Sequence, residues 1–492
     1  MKEVAVEDSF DAAESRDEIV VGLVGPVGGD FDKLGRSLHR CLEHYRYRLR
    51  DHRLSNFFDL PEVQAVAGMV SKTSESERIG TSMDVGDKLR SETKLDNILA
   101  LYAAADISQK RAKSDDGEPL PASRTAHILR SLKRPEEVSS LRQIYGSRFV
   151  VISAYVPRQQ RIANLSRKMD EKSAVALIGR DEEGGDHGQA TSRTFELADL
   201  FVDGTLGDEQ LVTELHRFFD LYFGCPFVTP RQEEHAMFLA FASSLRSGDL
   251  SRQVGAVVTT TDGTLLGEGA NDAPRFGGGQ YWPGESDQRD IVLGYDSNEA
   301  AKRVMAERIL TAFNETIPEG ADPIACVKRR LSASGLLDIT EFGRAVHAEM
   351  AAILSCARSG VSTKGGVLFC TTFPCHNCAK HIVAAGITSV RFIEPYAKSR
   401  AVDLHGDAIA LDDIRDRVTF TPFLGIGPRR YVDLFVLRDG VGNPIRRKAA
   451  DGSLTPWSRG SCSPKISDDV TTYLEREDFA FHTIESTMRS DP

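Results

Sequence analysis

The sequence lacks the features that direct a protein into a membrane or out of the cell. No apolar run in the 492 residues approaches the roughly 20 residues that a helical membrane span requires. The N-terminus is acidic and has no apolar segment of the secretory type, so we expect a cytoplasmic protein with no membrane partner. The eight cysteines are spread along the chain and predict no disulfide framework. Only Cys375 and Cys378 stand close together, which in a reducing compartment indicates metal or redox chemistry.

An excess of positive charge is also missing. The formal net charge is −11, and so acidic a chain repels polyanions. This argues against broad, sequence-independent binding of nucleic acid, although a small phosphorylated molecule can still bind in a local basic pocket. With 41% hydrophobic and 27% charged residues, the composition is that of an ordinary globular protein, and the length predicts more than one domain.

The pattern along the chain predicts two α/β units. Residues 1–17 are acidic and poor in large apolar side chains, and we expect them to be mobile. Over residues 18–225, β-rich runs alternate with helical ones, which is typical of a parallel sheet flanked by helices. A second unit is predicted at 226–440, with a long insertion at 271–340 that can cover a site. A C-terminal extension follows at 441–492.

A glycine-rich turn follows the first predicted strand and precedes a helix. Gly25, Gly28 and Gly29 lie in this turn, where backbone amides at a helix N-terminus can bind an anion. The turn lacks the Gly-Lys-Ser or Gly-Lys-Thr ending of a strict P-loop, and Lys33 falls inside the helix. Nucleotide sensing, a purely structural domain and active kinase chemistry therefore all stay open, and we favour sensing.

The strongest functional signal combines two short motifs. His347-Ala348-Glu349 precedes Pro374-Cys375-His376-Asn377-Cys378, in the order of the zinc deaminase signature. One imidazole and two thiolates leave the fourth tetrahedral position of Zn²⁺ open, as in catalytic zinc sites. We therefore predict that His347, Cys375 and Cys378 bind the metal, and that Glu349 is the catalytic residue that carries protons.

A closed structural zinc site is the alternative interpretation of the same motif. It requires a fourth protein ligand, and the candidates near the motif are Cys370 and His376. We expect Cys370 on a strand and His376 facing outward, which disfavours this interpretation.

Residues 231–437 resemble the cytidine and deoxycytidylate deaminase superfamily beyond this motif. The stretch 251–257, Ser-Arg-Gln-Val-Gly-Ala-Val, is similar to the first strand of that family, and 269–274, Gly-Ala-Asn-Asp-Ala-Pro, is similar to its Gly-x-Asn-x-x-Pro turn. The resemblance implies a cytidine deaminase-like α/β/α sandwich. It also implies that Asn271 contacts deoxyribose and that Arg252 binds phosphate. The alternatives are an ordinary turn asparagine and a surface ion pair.

Over almost the full chain, the resemblance narrows to the bacterial anti-phage dCTP deaminases. The similar stretches are Leu177–Glu182, Leu245–Gln253 and Thr371–His381. This family joins an N-terminal P-loop kinase-like domain, with its parallel sheet and helices, to the deaminase. The resemblance implies Zn²⁺ as cofactor and conversion of dCTP to dUTP, with dCMP to dUMP as well. An infecting phage would thereby lose a DNA precursor.

An enzyme that drains dCTP must be restrained in its own host. We expect a nucleotide at the turn of Gly25, Gly28 and Gly29 to control activity, with dTTP as the preferred ligand. An inhibitory RNA or protein is a further possible partner, and we expect a homo-oligomer.

Three other functions compete with this interpretation. One is a housekeeping dCMP deaminase that nucleotides regulate. Another is a deaminase of cytosine within nucleic acid, against which the acidic charge argues. The last is a nucleotide sensor without catalysis, against which the presence of Glu349 argues.

Overall fold

The computed structural model describes residues 17–113, 115, 117, 119–182, 187–313, 317, 320–331, 342–395, 399–411, 414–466 and 470–489. The predicted mobile segment 1–17 lies outside the described residues except for Asp17, and so does part of the insertion 271–340. The chain forms two compact units, Met1–Pro230 with Leu424–Pro492, and Arg231–Phe423.

The described residues form strands and helices in alternation. The strands are β1 (Glu18–Val24), β2 (Arg48–Arg53), β3 (Thr125–Leu132), β4 (Phe149–Tyr155), β5 (Leu200–Asp203), β6 (Gly255–Thr259), β7 (Leu265–Ala270), β8 (Val367–Thr372), β9 (Ser389–Glu394), β10 (Ile409–Ala410), β11 (Val418–Pro422) and β12 (Gly425–Ile426). The helices are α1 (Phe31–Glu43), α2 (Pro61–Ala67), α3 (Glu75–Thr93), α4 (Ile98–Gln109), α5 (Pro135–Tyr145), α6 (Arg158–Leu165), α7 (Glu171–Glu182), α8 (Thr191–Phe195), α9 (Asp208–Tyr222), α10 (Gln232–Ser244), α11 (Asp290–Leu293), α12 (Ser297–Ala312), α13 (Pro323–Leu331), α14 (Ala348–Arg358), α15 (His376–Ala384), α16 (Ala401–His405), α17 (Tyr431–Phe435) and α18 (Val470–Arg489). None of these described helices has both the length and the apolar character of a membrane span.

The first unit contains a six-stranded sheet in the order β12-β5-β4-β1-β3-β2. Strands β1 to β5 are parallel to their neighbours, and β12 is antiparallel to β5. Every residue of β1 is buried, as expected for a parallel strand covered by helices on both faces. The predicted parallel sheet is therefore confirmed. Strand β1 has β3 on one side and β4 on the other, so the turn after it lies where the strand order reverses, a usual place for ligands in such sheets.

The second unit contains a mixed six-stranded sheet in the order β10-β11-β9-β8-β6-β7. The Asp262-Gly263 pair between two β-rich runs predicts a hairpin. Strands β6 and β7 form this antiparallel hairpin, whose turn places Gly263 at a φ of +87°. Helix α14 packs so closely on β7 that a Cβ at Gly269 would lie 2.4 Å from the Ala352 nitrogen. The α/β class predicted for this unit is therefore confirmed. The close contact at Gly269 fixes α14, and with it the end of the helix that carries the predicted site.

The core of the second unit lies between this sheet and its helices. It is built mainly from small and aliphatic side chains, together with buried thiols and aromatic rings. These residues are Ala256, Val258, Ala348, Ala352, Cys356, Leu368, Cys370, Cys378, Ala379, Ile382, Ile387, Val390, Phe392, Ala401, Ile409, Val418 and Phe420.

The chain returns to the first unit earlier than the sequence predicts. We expected the second unit to extend to residue 440, but Leu424–Pro492 belongs to the first unit, because β12 pairs with β5. The β-rich composition of residues 431–437 predicts a final strand, but this run contains helix α17. Pro428 begins a short helical turn directly before α17, where the proline φ is suited to helix entry.

Candidate metal centre and its cavity

Two helix N-termini carry the predicted metal ligands. His347 is the N-cap residue of α14, and Cys375 is the N-cap residue of α15. Glu349 and Cys378 follow in the first turn of their respective helices. Because the N-terminal end of a helix is the positive end of its dipole, both helices favour thiolates at this place. Both motifs therefore open helices.

The three predicted ligand atoms lie close enough to hold one metal ion. The Nδ1 atom of His347 is 3.3 Å from the Sγ of Cys375 and 3.3 Å from the Sγ of Cys378, and all three atoms lie within 4.8 Å of one another. A tetrahedral Zn²⁺ with Zn–S bonds of about 2.3 Å and a Zn–N bond of about 2.0 Å places its ligands roughly 3.5–3.8 Å apart. The geometry and the soft donor set therefore both fit zinc.

The candidates for a fourth protein ligand stay outside this group. Cys370 lies on β8 in the buried core, and burial raises the pKa of its thiol well above the ordinary value. His376 begins α15, and its Nδ1 is buried without a hydrogen-bond partner, so the expectation that this residue faces outward is wrong for that atom, although His376 does not belong to the metal-holding group. Among the described residues, the group that can hold a metal comprises only His347, Cys375 and Cys378. This arrangement favours an open fourth position over a closed structural site.

Proton sharing among the three ligands prepares them for a cation. A hydrogen bond from Cys378 lowers the pKa of the Cys375 thiol to about 4, with a further contribution from His347. The hydrogen bond to Cys375 raises the pKa of His347 to about 9. Donation to Cys375 and burial raise the pKa of Cys378 well above its ordinary value. A metal ion that binds here replaces these shared protons, which is how cysteine sites couple metal binding to proton release.

Glu349 lies beside the ligands but is not one of the metal-holding group. Its side chain is buried, with 4% of the residue exposed. Burial raises the pKa of its carboxyl above the ordinary value, so the group takes up a proton more readily than an exposed glutamate does. A buried carboxyl with a raised pKa beside metal ligands is a candidate for proton transfer.

A cavity of about 230 Å³ opens beside the ligands. Five segments of the second unit line it: the loop before β6, the turn after β7, part of the insertion around 290–299, the segment that leads into α14, and the segment between β8 and α15. The described part of the insertion therefore forms one wall of the cavity.

Both predicted substrate-binding residues line this cavity. The Asn271 side chain accepts a hydrogen bond from Val254 N at 2.7 Å and donates one to Arg252 O at 2.8 Å, so it fastens the segment that enters β6. The guanidinium group of Arg252 forms an ion pair with Glu394 and keeps 40% of its side chain exposed. The backbone hydrogen bonds of Asn271 and the ion pair of Arg252 are the alternative roles that the sequence left open for these two residues.

Arg344 also lines the cavity, and the sequence analysis did not single it out. It lies three residues before His347 in the chain. This proximity to the metal motif is the sequence feature that could have identified it. Its charge alone gave no such signal, because basic residues are frequent along the whole sequence.

The glycine-rich turn of the first unit is closed in this structure. Val27 N donates to the buried carboxylate of Asp181 at 2.7 Å, and Gly29 N donates to Pro26 O at 3.0 Å. The space next to the turn, lined by Gly25 and Gly29 among others, has a volume of about 10 Å³, roughly the size of one water. Gly28 adopts a φ of +89°, which favours glycine. The amides of Val27 and Gly29 are therefore already bonded to acceptors of the protein itself.

Comparison with known proteins gives a family match for the second unit. Residues 230–394 match the family model of the cytidine and deoxycytidylate deaminase zinc-binding region. The chain is 47% identical over 53 residues to the ComE operon protein 2 of Bacillus subtilis (strain 168), covering 11% of this chain and 28% of that protein. It is 29% identical over 160 residues to the deoxycytidylate deaminase of Mus musculus, covering 32% of this chain and 63% of that protein. The chain therefore spans less than two thirds of the length of each relative.

Among solved structures, the chain is similar to a dCMP deaminase from the cyanophage S-TIM5 in complex with dCMP and dUMP. The identity is 21% and the TM-score is 0.24, with 40% of this chain and 98% of that chain covered. The family match and the cluster of His347, Cys375 and Cys378 together show that the second unit is a zinc-binding domain of the cytidine and deoxycytidylate deaminase type.

Proposed function

We propose that this protein deaminates free deoxycytidine nucleotides by hydrolysis, converting dCTP to dUTP and dCMP to dUMP with release of ammonia. The observation that carries the proposal is the arrangement of one cavity, in which Glu349 lies beside His347 and Cys375 while Arg252 and Arg344 line the same space. The cavity thus combines groups for proton transfer with cations for a phosphate.

The residues divide the chemistry between them. His347, Cys375 and Cys378 hold the zinc, which when bound supplies the Lewis acidity that makes water a nucleophile at neutral pH. Glu349 takes one proton from the attacking water and delivers it to N3 of the cytosine ring. It then carries the second proton to the departing amine, so that cytosine and water become uracil and ammonia. Because burial raises the pKa of Glu349, this carboxyl can hold a proton between the two transfers.

The charges of the cavity support a small nucleotide over a nucleic-acid strand. Asp249, Asp290, Asp296 and Glu299 all line the cavity. A strand that threads past them would bring a row of phosphates close to these carboxylates, whereas deaminases of nucleic acid need a basic channel or stacking platform. One mononucleotide needs only a local cation.

The proposal includes a role in defence and a form of control, both of which rest on the resemblance to the anti-phage dCTP deaminases. Draining dCTP in the cytoplasm would deprive an infecting phage of a DNA precursor. A nucleotide such as dTTP at the turn of residues 25–29, or an inhibitory RNA or protein, would restrain the enzyme, and homo-oligomers are the expected assembly. For the nucleotide to act, Asp181 must release Val27 N so that the turn opens.

One panel of substrates tests the proposal. Purified protein with zinc is incubated separately with dCTP, dCMP, CTP, cytidine and a single-stranded oligonucleotide that contains cytosine, and ammonia release is measured. We expect the deoxycytidine nucleotides to be turned over fastest. Comparable turnover of the oligonucleotide would favour the nucleic-acid function, and preference for dCMP over dCTP would favour the housekeeping function. No ammonia from any substrate would contradict deamination altogether.

A further inference from the structure

Arg344 lines the cavity with a guanidinium group that uses only some of its hydrogen-bond donors. Its Nη1 donates to Gln288 O at 2.9 Å and to Asp290 Oδ1 at 3.1 Å. Among the described residues, these are the hydrogen bonds that the guanidinium group makes, so Nε and Nη2 keep their donors for another partner. The side chain is 39% exposed, and it lines the same cavity as Glu349.

The backbone around Arg344 is fixed to the site. Arg344 N donates to Ser297 Oγ at 3.2 Å, which joins it to the start of α12. Two residues further on, Val346 and Asp272 exchange backbone hydrogen bonds at 3.0 and 3.3 Å. The segment that carries Arg344 is therefore held by Ser297 and by the turn after β7, three residues before the metal ligand His347.

The ion pair between Asp290 and Arg344 can break at a small cost in free energy. Asp290 Oδ2 also accepts a hydrogen bond from Ser297 N at 3.0 Å, at the positive end of α12. If Arg344 turns toward a ligand, Asp290 keeps this second donor. The pair is half-exposed, with 39% of the Arg344 side chain and 18% of the Asp290 side chain accessible, and ion pairs that keep contact with water contribute modest stability. The planar edge of a guanidinium group, in contrast, matches two oxygens of a phosphate.

We infer that Arg344 binds the 5′-phosphate of the substrate and thereby makes the cavity selective for deoxycytidine nucleotides over deoxycytidine. In the resting cavity Asp290 occupies one side of the guanidinium group. The phosphate binds the free edge formed by Nε and Nη2. It competes with the Asp290 carboxylate for the positive charge of Arg344. This inference rests on the proposed function, and it makes Arg344 a specificity residue that acts on binding without taking part in proton transfer.

The test compares a substrate with a phosphate and one without. For Arg344→Gln we expect the KM for dCMP to rise about 10- to 100-fold, which is the effect of one charge-assisted contact, with kcat little changed. The kcat/KM for deoxycytidine should stay at the wild-type value. Arg303→Gln is the matched control, because Arg303 also pairs with an aspartate, Asp322, on the insertion but does not line the cavity. It should leave both substrates unaffected.

A binding measurement separates this inference from the proposed reaction. The Kd values for dCMP and deoxycytidine are measured by calorimetry with zinc-loaded protein that carries Glu349→Gln, with and without Arg344→Gln. A loss of dCMP affinity alone supports the inference even if no substrate is turned over, an outcome that would refute only the reaction.

A second variant covers the case in which Arg344→Gln does not fold. Asp290→Asn removes the charge that competes for Arg344, so dCMP should bind more tightly while deoxycytidine binds as before. Equal effects on dCMP and deoxycytidine in either variant, or no effect on dCMP, would overturn the role of Arg344.

Discussion

Replacing Glu349 by Gln should abolish deamination while the metal site stays intact. The change keeps the size of a side chain that is only 4% exposed, and it removes the group that exchanges protons. Because burial already disfavours the charged carboxylate and raises its pKa, a neutral amide fits the same surroundings without a new desolvation cost. The variant should therefore fold like the wild type.

The size of the effect follows from the role of Glu349. General acid–base catalysis contributes roughly 10²- to 10⁴-fold to a rate, which corresponds to about 3–5 kcal/mol of activation free energy. Glu349 serves both proton transfers in the proposed mechanism, so we expect a loss at the upper end of this range. Zinc content should stay at about one ion per chain, because the metal-holding group consists of His347, Cys375 and Cys378.

The assay needs two measurements on the same preparation. Ammonia release from dCTP and dCMP gives the rate, and plasma mass spectrometry gives the zinc content. Glu307→Gln, an exposed glutamate on α12, serves as the control and should keep full activity. If Glu349→Gln loses zinc together with activity, Glu349 supports the metal, and if it stays within about tenfold of the wild-type rate, it does not carry the protons.

Three further predictions follow from the described contacts. Cys378→Ala should lose both zinc and activity, because alanine supplies no thiolate; full zinc content by mass spectrometry would contradict the ligand assignment. Asn271→Ala leaves Val254 N and Arg252 O without their partners, so denaturant unfolding should show a loss of about 2–4 kcal/mol, and an unchanged unfolding free energy would contradict this role. Burial raises the pKa of Glu477 from the ordinary 4.5 to about 7, because it outweighs the opposite effect of the bidentate ion pair with Arg111. Because the folded pKa is the higher one, the wild type should lose stability relative to Glu477→Gln as the pH rises from about 4.5 to about 7. If the difference in unfolding free energy between the wild type and Glu477→Gln stays constant across this pH range, the raised pKa of Glu477 is contradicted.

Local sequence features were sufficient to predict the class of the fold and the chemistry of the metal centre. The alternation of apolar runs with helical periods predicts the parallel sheet of the first unit, and Asp262-Gly263 predicts the β6–β7 hairpin. The metal ligands are predictable because their residue types and order reflect what Zn²⁺ binds. These features depend on neighbours in the chain, and a single sequence displays them directly.

Contacts between distant segments were decided only by the tertiary structure. The strand β12 joins the sheet of the first unit by pairing with the edge strand β5. No local sequence pattern predicts with which sheet edge a two-residue strand will pair. Asp181 closes the turn of residues 25–29 from a distant helix. Arg344 becomes part of the cavity because the insertion and the turn after β7 hold its backbone there. Such placements come from packing between segments that are far apart in the sequence. Local propensity does not distinguish one such pairing from another, and the pairing that forms is the one that gives the whole fold its lowest free energy.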